Sequence, residues 1–176
     1  FDVDRRAINW CTKNIESRYR SFQFIHSPIR NDHYNRKGTE DAESYEFPYP
    51  ANTFDVVICT SVFTHLLPEP ASNYLRQIGR VLKPGGICLS TWFLLSDERT
   101  AVHPELARFD FRHQVSSDCC VADASNPEAA VAYETAYLER SASDAGLETL
   151  QPVEYGSWAG AENSETFQDI VCLQKC

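Results

Sequence analysis

The sequence predicts an α/β fold: an open, doubly wound sheet that ends in an antiparallel strand pair. Three observations carry this. Residues 54–91 read as strand, turn, amphipathic helix, tight glycine turn and second strand, a βαβ unit of the kind whose crossover is right-handed. Val56, Val57, Ile58 and Cys59 form a continuous apolar run, the pattern of a strand covered on both faces of a parallel sheet. Residues 147–155 and 167–173 supply two last strands, which we expect to pair antiparallel at a sheet edge.

The elements follow in order. Asp4 is placed to cap a helix reaching about residue 15, with Ala7, Ile8, Cys11 and Ile15 on one face. Phe22, Phe24 and His26 alternate across 21–26, a strand pattern. Residues 27–46 are polar with Gly and Asn, a loop longer than such connections usually are. Pro68 and Pro70 bracket a helix start, where proline is tolerated. Tyr74, Leu75, Ile78, Val81 and Leu82 then share one helical face. Lys83-Pro84-Gly85-Gly86 stops that helix, and Ile87, Leu89 and Thr91 open the next strand. Residues 95–125 have no regular pattern, with Cys119 and Cys120 in a loop; we expect a lid or binding segment there. Asn126-Pro127-Glu128 predicts a helix start, with Val131, Leu138, Ala142 and Ala145 buried and Gly146 after the last turn. Open sheets of this kind bind ligands beyond the carboxyl ends of their strands, which places the site at residues 59–65.

The 176 residues read as a single domain, 1–176, and a chain of this size buries roughly 70% of its unfolded surface. Net charge is −9, so a nucleic-acid partner, which calls for a clustered cationic face, is not expected. The basic stretch 30–37 is short, runs into Glu40, Asp41 and Glu43, and reads as a solvated loop. No run of eighteen apolar residues marks a membrane span, and no signal peptide opens the chain. The seven cysteines lack paired C-x-x-C spacing, which argues against zinc. Cys11, Cys59, Cys88 and Cys172 fall at apolar positions, as small hydrophobes. A reducing, cytoplasmic setting without a metal is the expectation.

Phe54-Asp55-Val56-Val57, then Thr60-Ser61-Val62-Phe63-Thr64-His65-Leu66, then Arg80-Val81-Leu82-Lys83-Pro84-Gly85-Gly86 before a strand form an ordered set that resembles the class I S-adenosylmethionine-dependent methyltransferases. Phe1-Asp2-Val3-Asp4 resembles the end of that fold's second strand, and Phe47-Pro48-Tyr49-Pro50 the loop before its fourth. Residues 155–158 and 167–171 resemble the final strand pair of a bacterial small-molecule subgroup. The resemblance implies a Rossmann-like methyltransferase sheet, S-adenosylmethionine as cofactor and a small-molecule acceptor. It departs at one point: that fold opens with a strand and a glycine-rich loop, whereas the only adjacent glycines here are Gly85 and Gly86. With no initiator and no methionine in the chain, the sheet reads as N-terminally incomplete, a fragment that would need upstream residues to be active.

Carried over residue by residue, the resemblance makes Asp2 the acid that holds the cofactor ribose. A strand-tip carboxylate can accept both ribose hydroxyls; the plainer readings are a solvated turn residue or a cap. Val3 falls where the family packs an apolar side chain on the adenine. Cys59, Thr60 and Ser61 fall where backbone carbonyls meet the methionine part of the cofactor, with the Cys59 side chain itself read as core. The turn is not the D/N-P-P-Y of exocyclic-amine methylation, and no Pro-Cys pair offers a thiolate for ring-carbon methylation; both point toward a small molecule. His65 stands at the crevice mouth, either as the base that deprotonates a hydroxyl acceptor or as a brace for the loop. The adenine-binding acid has no obvious counterpart, since the strand exits into Ser27-Pro28; Glu43 and Asp32 are the substitutes. Tyr155 and Trp158 either line an acceptor pocket or pack.

The leading expectation is S-adenosylmethionine-dependent methyl transfer to a small molecule, a sugar or glycan hydroxyl by analogy with the subgroup. A catalytically inactive methyltransferase-like binding module is the alternative. A dehydrogenase explains Asp2 but neither the 60–65 turn nor the terminal pair.

Overall fold

The structure, a computed structural model, describes residues 1–95, 108–160 and 164–176. Along the chain come α1 (Arg5–Cys11) running into a π turn (Thr12–Glu16), β1 (Phe54–Cys59), a 3-10 turn (Phe63–His65), α2 (Pro68–Val81), β2 (Leu82–Trp92) and β3 (Leu94–Leu95). Then follow β4 (His113–Ser116), β5 (Cys119–Val121), β6 (Val131–Glu134), α3 (Thr135–Asp144), β7 (Leu147–Glu154) and β8 (Asp169–Lys175). Two four-stranded sheets result, ordered β1-β2-β8-β7 and β3-β6-β5-β4. In the first, β1 and β2 are parallel across the α2 crossover, while β8 is antiparallel to both β2 and β7. The βαβ unit and the terminal antiparallel pair therefore form as the sequence predicts.

α2 has its predicted bounds because Pro68 sits in the first turn, where no intrahelical N–H is missed. Its face of Tyr74, Leu75, Ile78 and Val81 is buried with Leu82, Cys88, Leu138, Val171 and Leu173 in the main core. Asp4 caps α1 as expected, its carboxylate accepting from Arg6 N and Ala7 N. The main core also takes in Leu94, Cys119, Val121, Val131 and Tyr133 of the second sheet, and a second, smaller core gathers Phe93, Leu95, Ala130, Ala132, Trp158 and Ala159.

Four expectations are corrected. Residues 21–26 form no regular strand; the pairing reduces to one parallel bridge, Asp2 with His26. It does not lengthen, because Asp4 N is taken by the Asp2 carboxylate and Asp4 already caps α1. β1 is not covered on both faces: Val56 and Ile58 are 58% and 66% exposed. Val57 and Cys59 pack against the core, Val56 and Ile58 do not, and all four residues reach the wall of a cavity. The helix predicted from 126 is preceded by β6, whose Val131, Ala132 and Tyr133 are all fully buried. Three consecutive buried side chains suit a strand flanked on both sides and not one helical face. Finally, Cys119 and Cys120 lie in β5, hairpinned to β4, and not in a loop. Within the 95–125 segment read as a lid, 96–107 lie outside the described residues.

All seven cysteines are free. Among the described residues no helix is long and apolar enough to cross a membrane.

Candidate cofactor and acceptor site

The site grows from the carboxyl ends of β1 and β2, where Cys59 pairs with Ser90. Beyond β1 the backbone turns sharply at Ser61, whose φ of 52° is left-handed, a conformation costing a non-glycine residue about 1–2 kcal/mol. Ser61 N donates to Thr91 Oγ1 at 2.7 Å, Ser61 Oγ to Gln168 Oε1 at 3.0 Å, and Thr91 Oγ1 to the same oxygen at 2.6 Å. Those bonds tie the turn to β2 and to the entrance of β8 and offset the strain. Phe63, wholly buried, then stacks on Trp92 with ring centroids 4.0 Å apart, fixing the short helical turn that ends at His65.

The opposite wall comes from the N-terminus and the loop before β1. Phe1 packs edge-on against Phe47 at 4.8 Å. α2 holds that loop in place: Arg80 donates to Phe47 O and Tyr49 O, Gln77 accepts Phe47 N, and Asn73 donates to Ala42 O and Tyr45 O. Between the walls lies a cavity of about 520 Å³. Asp2, Val3, Cys59, Thr60, Ser61 and His65 all line it, so residues picked out at separate points of the sequence come together on one surface. One Asp2 carboxylate oxygen accepts Asp4 N at 2.8 Å; the other makes no hydrogen bond among the described residues. A carboxylate able to accept ribose hydroxyls, beside an apolar, aromatic wall on which a purine ring can pack, suits a nucleoside, so the residues present fit S-adenosylmethionine. The Cys59 side chain sits against Cys88, whose thiol is pushed up by their hydrogen bond and by burial; this pair is packing and not a nucleophile.

The remaining sequence candidates separate. Glu43 and Asp32 are absent from the cavity wall. Trp158 is 2% exposed and donates to Asp169 Oδ2 at 2.8 Å, so it packs, and Tyr155 is likewise off the wall. Among the described residues no group of three or more His, Cys, Asp or Glu is placed to hold a metal ion.

Sequence reasoning missed the surroundings of His65. Asn31, Tyr34 and His65 share the cavity rim. His65 Nδ1 lies 2.9 Å from Glu128 O, and Tyr34 Oη 3.2 Å from His65 Nε2. Burial lowers the pKa of His65, opposed by the bond to the Glu128 carbonyl, with His33 adding to the lowering. Burial also raises the Glu128 carboxyl. The one available signal was the density of Asn, His and Tyr in an overlong loop, 31–35.

Fold and site together define a class I S-adenosylmethionine-dependent methyltransferase domain. Residues 2–90, just over half of the chain, match the family described as "Methyltransferase domain", and the chain belongs to that family. Solved structures share the fold. A SAM-dependent methyltransferase from Methanosarcina mazei is 19% identical, with 99% of this chain and 79% of that one covered at a TM-score of 0.56. PH0226 protein from Pyrococcus horikoshii OT3 is 17% identical, with 99% and 68% covered at 0.59. Among curated proteins, the tRNA N(3)-cytidine methyltransferase METTL2 of Danio rerio is 40% identical over 47 residues, 27% of this chain. The match spans only 13% of that relative's length.

Proposed function

We propose that this chain transfers the methyl group of S-adenosylmethionine to a small-molecule acceptor, a sugar or glycan hydroxyl being the favoured class. The observation that carries the reading is the single cavity lined by Asp2, Val3, Cys59, Thr60, Ser61 and His65. In it Asp2 would hold the ribose hydroxyls, Val3 the adenine, and the 59–61 backbone the methionine portion. When bound, the cofactor supplies a methyl on a positive sulfur, an activated electrophile; the chain's own residues then align the acceptor and manage its proton.

A second reading, an RNA acceptor, has one observation in its favour besides the METTL2 match. Residues 1–37 hold eight of the 16 lysines and arginines but only four of the 25 acids, and Trp10, Tyr19 and Phe22 there are more than half exposed. Exposed aromatics among basic residues suit single-stranded nucleic acid. The net charge of −9 weighs the other way.

The test is calorimetry with S-adenosylhomocysteine on the full chain, followed by methyl incorporation from labelled cofactor into a panel of methyl glycosides and into bulk tRNA. Binding with label in a glycoside is the expected result. Label in tRNA alone would move the acceptor to the second reading, and absence of binding by the folded chain would overturn the cofactor assignment.

A further inference from the structure

The loop at 31–35 is built around one side chain. Asn31 is 7% exposed, and its amide oxygen accepts His33 N at 3.1 Å and Tyr34 N at 2.8 Å. Its amide nitrogen donates to His65 O at 3.0 Å, so the turn is pinned to the backbone of the residue it covers. Asn31 and Asn35 also exchange both backbone hydrogen bonds. From the far side, Asp32 N donates to a carboxylate oxygen of Glu128, and Asn126 Nδ2 lies 3.0 Å from His33 Nδ1. The His33 ring is parallel to His65 at 5.8 Å, and Tyr34 stands edge-on to both. Two loops far apart in sequence thus fix the Tyr34 and His65 rings at the rim of the cavity, with His33 packed behind them.

The hydrogen bonds assign the tautomer. A carbonyl oxygen can only accept, so at 2.9 Å from Glu128 O it is His65 Nδ1 that carries the hydrogen. In the neutral ring Nε2 is then the lone-pair nitrogen, and at 3.2 Å the Tyr34 hydroxyl donates to it. His65 therefore presents its basic nitrogen to Tyr34 and not to open cavity. The Tyr34 oxygen keeps a lone pair, and its side chain, 56% exposed, lines the cavity.

We propose that Tyr34 is the catalytic group that takes the acceptor's proton and that His65 is the base acting through it. As the acceptor's O–H bond breaks, its proton moves to the Tyr34 oxygen while the Tyr34 proton moves to His65 Nε2. The acceptor oxygen keeps the electron pair. The imidazolium so formed donates from Nε2 to Tyr34 and from Nδ1 to the Glu128 carbonyl, and it returns its proton to solvent by the same route. Asn31 positions the pair by tying the loop to the His65 backbone. This rests on the methyl-transfer reading, but its test needs neither cofactor nor acceptor. A loop that His65 merely braced would leave the Tyr34 phenol with ordinary reactivity.

The experiment treats the full chain with a small arylsulfonyl fluoride from about pH 5 to about pH 8 and follows each tyrosine by peptide mass spectrometry. Labelling forms the phenol O–S bond, expels fluoride and hands the phenol proton to His65. Tyr34 should react roughly tenfold or more faster than Tyr19, which is 60% exposed, at neutral pH. That excess should vanish in His65→Gln and follow a single titration with its midpoint below 6.5. Equal rates, or an excess that persists in His65→Gln, would overturn the proposal. Should His65→Gln not fold, an excess independent of pH in the unaltered chain does the same. S-adenosylhomocysteine affinity of the unaltered chain, measured alongside, reports on the cofactor reading separately.

Discussion

The two halves of this molecule are held by different kinds of bond. From β2 through β8 to β7, ladders of backbone hydrogen bonds run beneath buried Leu82, Cys88, Val171 and Leu173, interrupted between Leu150 and Glu154 of β7. The first 46 residues, by contrast, contribute three isolated bridges, Asp2 with His26, Ile29 with Glu40 and Asn31 with Asn35, and otherwise lean on side chains bonding backbone, Asn31 foremost. The laddered half sets the frame, and the first 46 residues supply much of the cavity wall. The contrast teaches where a substitution should register: as lost stability in the laddered half, as lost geometry in the other.

The largest effect should come from Asp169→Ala. Its carboxylate, fully buried, accepts Leu94 N at 2.7 Å, Gly156 N at 2.8 Å and Trp158 Nε1 at 2.8 Å. Losing three bonds to a charge should cost about 3–5 kcal/mol, read as a lower urea midpoint by circular dichroism. A loss below about 1 kcal/mol would show that the laddered half does not depend on this junction.

Paired glycine substitutions sharpen the contrast next. A Cβ on Gly79 would lie 2.3 Å from Ala145 O, where α2 meets the turn after α3. Gly79→Ala should therefore lose about 1–3 kcal/mol, despite the gain of about 1 kcal/mol that alanine brings to an ordinary helix. A Cβ on Gly38 would meet Arg30 N at 2.3 Å and Ile29 C at 2.4 Å. Gly38→Ala should shift the midpoint less but erase the fast labelling of Tyr34. Equal losses in the two variants, with labelling intact, would break the comparison.

Asn31→Ala should behave as Gly38→Ala does, losing about 1–2 kcal/mol and the Tyr34 excess together. The smallest effect is on pH dependence. The folded-state pKa of His65 is lowered by burial, so below 6.5 the unfolded chain binds more protons at this residue than the folded one. Stability should fall slightly as pH drops through that window, and His65→Gln should flatten the trend. Glu128, raised by burial from 4.5, acts with opposite sign at lower pH: protonation there favours the folded state. A urea series across pH separates the two.

The laddered half was legible because its information is local. Pro68, the Tyr74 to Val81 stripe and the 83–86 stop each signal structure within a few residues, and the Asp4 cap does the same for α1. β6 was misread because Asn126-Pro127-Glu128 carries a helix-start pattern yet yields only the 3-10 turn Pro127–Ala129. Val131-Ala132-Tyr133 is apolar throughout, and its period fits neither element uniquely. Of the candidate site, the six residues on the 1–3 and 59–65 segments could be picked out because their motifs resemble those the methyltransferase family carries at its strand ends, where an open sheet forms its crevice. Tyr34 and Asn31 could not, because their places depend on a side chain bonding backbone across 34 residues and on Glu128 arriving from a distant loop.

Ser61 carries a consequence for how such a site changes over generations. A residue at φ 52° draws from a small alphabet: glycine, asparagine and aspartate take that conformation readily, whereas valine, isoleucine and threonine resist it. Saturation mutagenesis at this position should return that short set whatever acceptor is offered. Drift in acceptor preference must then run through freer neighbours such as Thr60 and Val62, with the turn at Ser61 as the inherited constant.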